Sequence, residues 1–478
     1  MSEAALKVGF KTFGCRSNHA DSIELQAALV EQGAVPCSSE EDADVYVVNS
    51  CTVTDEADKD VLRELRRIRR RSPNARIILT GCMASLEDGI ALDHSMVDAV
   101  VGAGRREAVL KAVNGIDGSS EQADPAIVNF EELAAKRSKR PARGGANWRS
   151  ISLDGDFPAA LRGPGEMLGE QKLRARYHLR IQEGCENSCT FCIIPQTRGR
   201  LSSRPVAELI NDLAQLNDLG YGEVVLTGTH IGGYGEDLGL KLSDLLREIA
   251  QVRPVQRVRL SSIDPNDVSE ELLAVLSSSD IFCEHLHVCV QAFSDPILKK
   301  MNRKYRMSEV CSLVSRIHEV WPECTLGTDV ICGFPGETAE SVEEQIAAFE
   351  ELGFSYVHVF PYSERSETAA VRLPNSVLPK ERKKRAARWR AVGARAKRRR
   401  MKSILSRELE FVVEQIRDAA AGVELSGTSR EFMSAVVSLS PKQAKLIRAG
   451  QIIRGRATEL KQGEEQLRCE LLNQESSE

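Results

Sequence analysis

Six of the 13 cysteines fall into two sets of three whose placement suits metal chemistry. Cys185, Cys189 and Cys192 stand in "GCENSCTFCIIP", spaced C-x3-C-x2-C. Gly184 and Pro195 give that stretch loop character, so three thiols can close on one centre. A structural zinc ion takes four tetrahedral ligands. The next Cys or His after Cys192 is His230, so zinc would need a remote ligand such as His178 or Cys283. A four-iron cluster needs only three thiolates if one iron stays open for another ligand. An open position is what catalytic metals keep.

The second set is Cys15, Cys51 and Cys82, separated by 51 − 15 = 36 and 82 − 51 = 31 positions. Each ends an apolar, β-prone run: "VGFKTFGC", "VYVVNSC" and "RIILTGC". In an open parallel sheet the carboxyl ends of the strands share one edge, and ligands bind there. Three thiols at three strand ends would meet at that edge. The alternative is three buried thiols acting as small hydrophobes.

The elements that must position these residues are α/β throughout. The first ~130 residues alternate strands with helices, including helices from about Ser22 to Gln32 and from Asp55 to Arg71, which argues a parallel sheet. A stretch rich in Gly, Pro and charge follows. From Tyr177 six further strands, "YHLRIQEG", "EVVLTGTH", "RVRLSSID", "HLHVCVQA", "LGTDVICGF" and "YVHVFPYS", fit an incomplete (β/α)6 barrel with its strand ends at one mouth. A basic helix spans about 378 to 404. Short runs such as "ELEFVVEQ", "FMSAVVS" and "QIIRGRATEL" then suggest a small antiparallel barrel. The expected division is a cluster domain at 5–133, a linker at 134–170, a barrel domain at 171–400 and a C-terminal barrel at 403–478.

The 478 residues are 42% hydrophobic and 28% charged, as in globular chains, and no apolar run is long enough for a membrane span. "MSEAALKVGFKTFG" lacks the pattern of a secretory signal, so a cytoplasmic protein without a disulfide framework is expected. Net charge is −5, yet Lys380 to Lys402 holds 13 Lys or Arg against Glu381 alone, and "RELRRIRRR" (63–71) has six Arg. Such runs are either solvated faces or the footprint of a polyanion.

These motifs carry a resemblance. "GCENSCTFCIIP" is similar to the cluster loop of the radical S-adenosylmethionine (SAM) enzymes, and "QTRGRLSSRP" narrows it to the methylthiotransferases. "TFGCRSNHADS", "VVNSCTVT" and "LTGC" match that family's N-terminal domain. "LTGTHIGGYGEDL", "RLSSIDP", "TDVICGFPGET" and "HVFPYSERSETAA" match its barrel. The C-terminal barrel resembles the family's TRAM module, which binds RNA. "LTGTHIGGYG" and "RLSSID" are most like the branch that acts on threonylcarbamoyladenosine in tRNA. Two other branches act on isopentenyladenosine in tRNA or on a ribosomal-protein aspartate.

The resemblance implies two 4Fe-4S clusters, one on Cys185, Cys189 and Cys192 and one on Cys15, Cys51 and Cys82. The first would bind SAM and, once reduced, cleave it to a 5′-deoxyadenosyl radical that takes hydrogen from C2 of the adenosine beside the anticodon. The second would carry the sulfur that is methylated and transferred. SAM contacts are expected from Phe191, Thr227, Gly228, Ser261, Ser262, Gln291 and Asp329. Arg198, Arg200 and Arg204 could reach substrate phosphate or the SAM carboxylate. The implied partners are the tRNA anticodon stem-loop, a low-potential electron donor such as a flavodoxin or ferredoxin, and a sulfur donor. Trp389 either stacks on RNA or packs its helix.

The chain departs from the family at "HVCVQAFSD". Cys289 stands at the usual Pro, and Ala292 and Phe293 replace Ser-Gly. Cys289 is expected to be a strand thiol; Cys37, Cys283, Cys311, Cys324, Cys332 and Cys469 are expected to be structural.

Overall fold

The structure, a computed structural model, describes residues 5–86, 96–115, 127–128, 161, 163–168, 171–419, 422–460, 463 and 465–472. Its first unit is a sheet ordered β2-β1-β3-β4-β5-β6, with strands β1 (Lys7–Thr12), β2 (Val35–Ser38), β3 (Val45–Ser50), β4 (Arg76–Gly81), β5 (Ala99–Gly102) and β6 (Ile127–Val128). All but the edge pair β5–β6 are parallel. The central run "VYVVNS" is buried at every position, as a strand covered on both faces must be. Helix α2 (Asp55–Arg71) shows why the chain turns helical there. Thr54 caps it by accepting from the Ala57 amide at 3.2 Å, acids fill its first turn, and Arg69, Arg70 and Arg71 its last, complementing the helix dipole. Helix α1 (Arg16–Glu31) begins six residues before the Ser22 expected from sequence, because Cys15 takes the extended N-cap conformation.

The second unit has six parallel strands: β7 (Tyr177–Glu183), β8 (Glu223–Gly228), β9 (Arg257–Leu260, resumed at Ser262–Ile263), β10 (His285–Val288), β11 (Thr325–Cys332) and β12 (Tyr356–Pro361). They pair in that order, and among the described residues nothing pairs β12 back to β7. The barrel is therefore the incomplete one expected, and α1 packs on its β7 side. Of the stretch 134–170, the described residues include Leu161, which is buried in the barrel's apolar core; most of it lies outside the described residues.

Five strands, β13 (Glu408–Ala419), β14 (Gly422–Ser429), β15 (Ser434–Leu439), β16 (Ile452–Glu459) and β17 (Leu467–Leu471), close a C-terminal barrel in the order β13-β14-β15-β17-β16. Two of these strands, β14 and β17, have no counterpart in the sequence reading. Glu223, with none of its surface exposed, joins this barrel to the larger one. It binds Arg257 Nε at 2.8 Å, Arg259 Nε at 2.8 Å and Arg176 at 3.4 Å. Those guanidinia also donate to backbone oxygens across the junction: Arg257 to Glu410 at 3.2 Å, and Arg259 to Arg430 at 3.0 Å.

The basic helix Pro379–Ser403 lies along β11 and β12. Trp389 is fully buried: its ring stacks on Phe293 at 6.1 Å and meets Phe349 edge-on at 5.7 Å. It packs the helix, and does not face RNA. Phe293 also meets Phe354 edge-on at 5.5 Å. The bulk of Phe293 is thus taken up by an aromatic cluster. Phe293→Ala should destabilise the barrel by about 3–5 kcal/mol, checked as a lowered thermal transition; an unchanged transition would show the cluster to be incidental.

Candidate functional site

Strands β1, β3 and β4 are neighbours, so their carboxyl ends bring Cys15, Cys51 and Cys82 to one edge. Cys51 and Cys82 follow their strands directly, while Cys15 lies three residues past β1, at the head of α1. Gly14 has φ 98°, and a Cβ there would sit 2.9 Å from the Cys51 sulfur, so only glycine lets the Cys15 loop approach Cys51. Asn18, one turn into α1, holds the edge together. Its Nδ2 donates to the carbonyls of Phe13 at 2.8 Å and Ser50 at 2.9 Å, and its Oδ1 accepts from the thiols of Cys15 at 3.9 Å and Cys82 at 4.0 Å.

Cys185, Cys189 and Cys192 lie on the loop after β7. Gly184, at φ 74°, passes so close to the Arg200 carbonyl that a Cβ would stand 1.9 Å from it. The loop is pinned from outside: Thr190 donates from its hydroxyl to the Lys300 carbonyl at 2.8 Å and from its amide to that of Met301 at 3.0 Å. The Asn187 amide donates to the Cys185 sulfur at 3.4 Å, and Arg303 Nη1 donates to the Cys189 sulfur at 3.2 Å. Arg303 also holds Asp264 at 2.5 Å and the Cys289 carbonyl at 3.3 Å.

None of the 13 cysteines is paired in a disulfide. Burial pushes Cys51 and Cys185 up to about 11 and Cys192 up to about 12, and raises Cys82 as well. The described groups whose ligand atoms all lie within 4.8 Å of one another are His287–Asp329–His358 and His230–Asp264–Asp267, and neither cysteine trio is among them. A single tetrahedral ion with bonds of about 2.3 Å would draw its sulfurs closer than that. Trios whose sulfurs are spread wider than that fit the larger body of an iron–sulfur cluster.

Arg198 links the two trios. Only 1% of its side chain is exposed. It sits six residues after Cys192, and its Nε donates to the Cys82 sulfur at 3.4 Å. It also grips Glu183, Asn18 and, at 3.2 Å, Asp21. Arg180 on β7 binds Asp21, Glu24 at 2.9 Å and Glu183 at 3.1 Å. Burial works against a charged Glu183, yet Arg198 and Arg180 overcome it and hold its carboxyl below the usual range. This buried ionic cluster fastens the first sheet's edge to the barrel mouth.

The residues expected around SAM lie at that mouth in differing states. Phe191 is half-buried, edge-on to Phe334 at 6.4 Å. Thr227 is buried and its hydroxyl donates to the Leu179 carbonyl at 3.2 Å, so that group is occupied within the sheet. Gly228 packs against Gln182. Ser261 is buried with an Oγ that has no partner among the described residues, and Ser262 is exposed. Gln291, at φ 66°, exchanges backbone hydrogen bonds with Asp329 at 3.0 Å and Ile331 at 2.9 Å. Asp329 is engaged by His287 at 2.9 Å, His358 at 3.4 Å and the Cys289 thiol at 3.3 Å; the two histidines hold its carboxyl down despite its burial.

Arg204 corrects its reading: the guanidinium is committed to Asp212 at 2.7 Å and Glu208 at 3.7 Å. Arg200 is exposed. Cys289 is the buried thiol expected, and of the other cysteines only Cys311 is exposed, apart from Cys15. Sequence reasoning named Asp329 but missed Arg303, Asn18 and the two histidines on Asp329; His358 could have been read from "TD" and "VHV", since Asp329 and His358 are register partners on adjacent strands, and His287 pairs two residues below, opposite Gly327.

Comparison with known proteins agrees with this geometry. The model of an uncharacterized protein family, UPF0004, matches residues 7–102, and that of the radical SAM superfamily matches 179–349. The threonylcarbamoyladenosine tRNA methylthiotransferase MtaB of Bacillus subtilis (strain 168) is 38% identical over 372 residues, covering 77% of this chain and 76% of that protein. The protein of the same name from Thermotoga maritima is 33% identical, covering 79% and 80%. A tRNA-2-methylthio-N(6)-dimethylallyladenosine synthase of Dictyoglomus thermophilum is also 33% identical, covering 78% and 79%. In fold, the chain is similar to the cobalamin- and [4Fe-4S]-bound radical SAM methyltransferase TsrM of Kitasatospora setae, with a TM-score of 0.58 over 77% of each chain at 17% identity.

Proposed function

Because the chain belongs to the radical SAM tRNA methylthiotransferases, we propose that it replaces the C2 hydrogen of N6-threonylcarbamoyladenosine in tRNA with a methylthio group. The observation that carries this is the Arg198 bridge. It draws a trio able to serve radical SAM chemistry and a second, separate trio to one place. A cluster that only relays electrons has no use for an open iron, and two such trios suit an enzyme that also inserts sulfur.

In this reading Cys185, Cys189 and Cys192 hold one 4Fe-4S cluster with SAM, and Cys15, Cys51 and Cys82 hold the other. When bound, these groups supply reductive cleavage of SAM and a sulfur to be methylated and passed on. The chain's own residues do the rest. Asn187 and Arg303 fix two sulfurs of the barrel trio. Ser261 offers a buried hydroxyl, and Phe191, Gly228 and Gln291 line the approach to the same mouth. The Asp21–Arg180–Glu183–Arg198 cluster closes the seam between the domains and keeps water from it. Burial would lower His230, but its hydrogen bond to Asp267 at 2.8 Å and the nearby Asp264 raise it above its usual range, and its ring stands 3.3 Å from the Asn187 side chain.

The tRNA presents its target in a single-stranded loop, where a base can be splayed out. The basic helix supplies fewer free charges than its composition suggests. Arg388 pairs with Glu343 at 2.8 Å, Arg395 with Glu350 at 3.0 Å, and Arg385 with Glu337 at 2.8 Å. Lys380, Lys383, Lys384, Arg390, Arg399 and Lys402 are exposed outside these pairs. Reversing Lys383, Lys384 and Arg390 to Glu should weaken tRNA binding and flatten its salt dependence by about one unit of slope per lost phosphate contact. Equal affinity and slope would move the RNA to another face. No described helix is long and apolar enough to cross a membrane. The reading places the enzyme in the cytoplasm, with a flavodoxin- or ferredoxin-like electron donor and a separate source of sulfur. In a strain lacking the gene, tRNA should keep threonylcarbamoyladenosine and lose its methylthio derivative. Unaltered methylthio levels would defeat the proposal.

A further inference from the structure

Each cysteine trio has one sulfur that accepts an N–H from a buried arginine. Arg303 Nη1 reaches Cys189 at 3.2 Å, and Arg198 Nε reaches Cys82 at 3.4 Å. Both side chains are almost wholly enclosed, with 5% and 1% exposed. Neither is free to swing away. Arg303 is fixed by Asp264 and lies over the Tyr305 ring at 4.9 Å, with its Nε donating to the Tyr305 hydroxyl at 2.9 Å. Arg198 is fixed by Glu183, Asn18 and Asp21. The two arginines differ in origin. Arg303 comes from the same barrel as the trio it touches. Arg198 leaves the loop of the barrel trio and touches the trio of the other domain.

Reduction adds negative charge to an iron–sulfur centre. A guanidinium N–H aimed at a ligand sulfur stabilises that charge, and hydrogen bonds to sulfur are among the factors that set such potentials. We propose that Arg303 and Arg198 are positioning residues, each donating to one sulfur of one trio and raising that centre's reduction potential, Arg198 doing so across the domain boundary. This rests on the assignment of the trios to iron–sulfur clusters. Its consequence is that the N-terminal centre's potential depends on the loop that carries the other one. The two centres are then tuned by the same kind of contact, supplied within the barrel for one and across the domain boundary for the other.

The test uses the full-length protein, reconstituted anaerobically with iron and sulfide, in two backgrounds. One carries Cys15→Ala, Cys51→Ala and Cys82→Ala; the other carries Cys185→Ala, Cys189→Ala and Cys192→Ala. Each keeps a single trio. Midpoint potentials are read by redox titration followed by electron paramagnetic resonance, with iron content measured alongside. R303M should lower the potential of the barrel centre alone, and R198M that of the N-terminal centre alone. R303K and R198K, which keep the charge but not the fork, should fall between. Unshifted potentials in the methionine variants, or in the lysine variants where the former do not fold, would overturn the inference. If neither set of cysteine substitutions lowers iron content, the cluster assignment itself has failed, which is a different result from loaded centres that ignore the arginines.

Discussion

Replacing Cys15, Cys51 and Cys82 with alanine is expected to abolish methylthio transfer completely while SAM is still cleaved to 5′-deoxyadenosine. Replacing Cys185, Cys189 and Cys192 is expected to abolish both. The difference follows from geometry. The first trio stands on its own sheet edge, held by Asn18, Gly14 and the strand ends, and the second on a loop pinned by Asn187, Thr190 and Arg303. Their nearest shared element is Arg198, which touches Cys82 but no sulfur of its own loop among the contacts of the described residues. Emptying the N-terminal site therefore leaves the barrel's supports in place. The measurement is 5′-deoxyadenosine and modified nucleoside quantified from the same reaction. Loss of SAM cleavage in the first variant, with the barrel trio still loaded with iron, would mean that the sites do not divide the chemistry in this way.

The second large effect is on stability. Glu223→Ala removes the carboxylate that Arg257 and Arg259 share at the junction of the two barrels, and one of the two that face Arg176, the other being Glu414 at 2.7 Å. A buried pair adds little over apolar packing, but deleting one partner strands the other charges in a poor solvent, at a cost of about 3–5 kcal/mol. For a domain of this size that lowers the thermal transition on the order of 10 °C. Burial alone would raise the Glu223 carboxyl, but Arg259 and Arg257 hold it well below its usual range. A depressed folded-state value contributes stability above the unfolded carboxylate range, and that contribution is lost as pH falls through the folded value. In calorimetry the wild type should therefore keep this contribution through mildly acidic pH, and the variant should lack it at neutral pH too. A variant as stable as the wild type at neutral pH would show that the arginines find other partners.

The cysteines were legible because their meaning lies in short spacings and in the runs they end. "NSC" closes a strand buried along its whole length and "TGC" one buried at all but its first residue, and adjacency of β1, β3 and β4 then does the rest. The six barrel strands were legible for the same reason. The supports were not. Arg198 and Cys82 are 116 positions apart, and Arg303 and Cys189 are 114 apart. An arginine in "QTRGR" or "MNRKY" carries no local sign of being buried. The partner of Arg198 is chosen by the docking of one domain on the other, and that of Arg303 by the folding of the barrel itself. Arg204, two turns from the same loop, went to Asp212 and a structural role. The start of α1 was hidden in a similar way, since Cys15 caps a helix without any of the usual capping side-chain bonds. The bulk of Phe293 became intelligible only with Phe349, Phe354 and Trp389 around it.

The central claim is that one chain joins radical SAM cleavage to sulfur insertion on threonylcarbamoyladenosine. Protein with both trios loaded should be given SAM, a strong reductant and a tRNA bearing that nucleoside, and the tRNA digested and weighed by mass spectrometry. The account predicts a new nucleoside carrying one methylthio group in place of one hydrogen, with 5′-deoxyadenosine formed alongside. An unmodified nucleoside from fully loaded enzyme that cleaves SAM, or modification of isopentenyladenosine tRNA in its place, would contradict it.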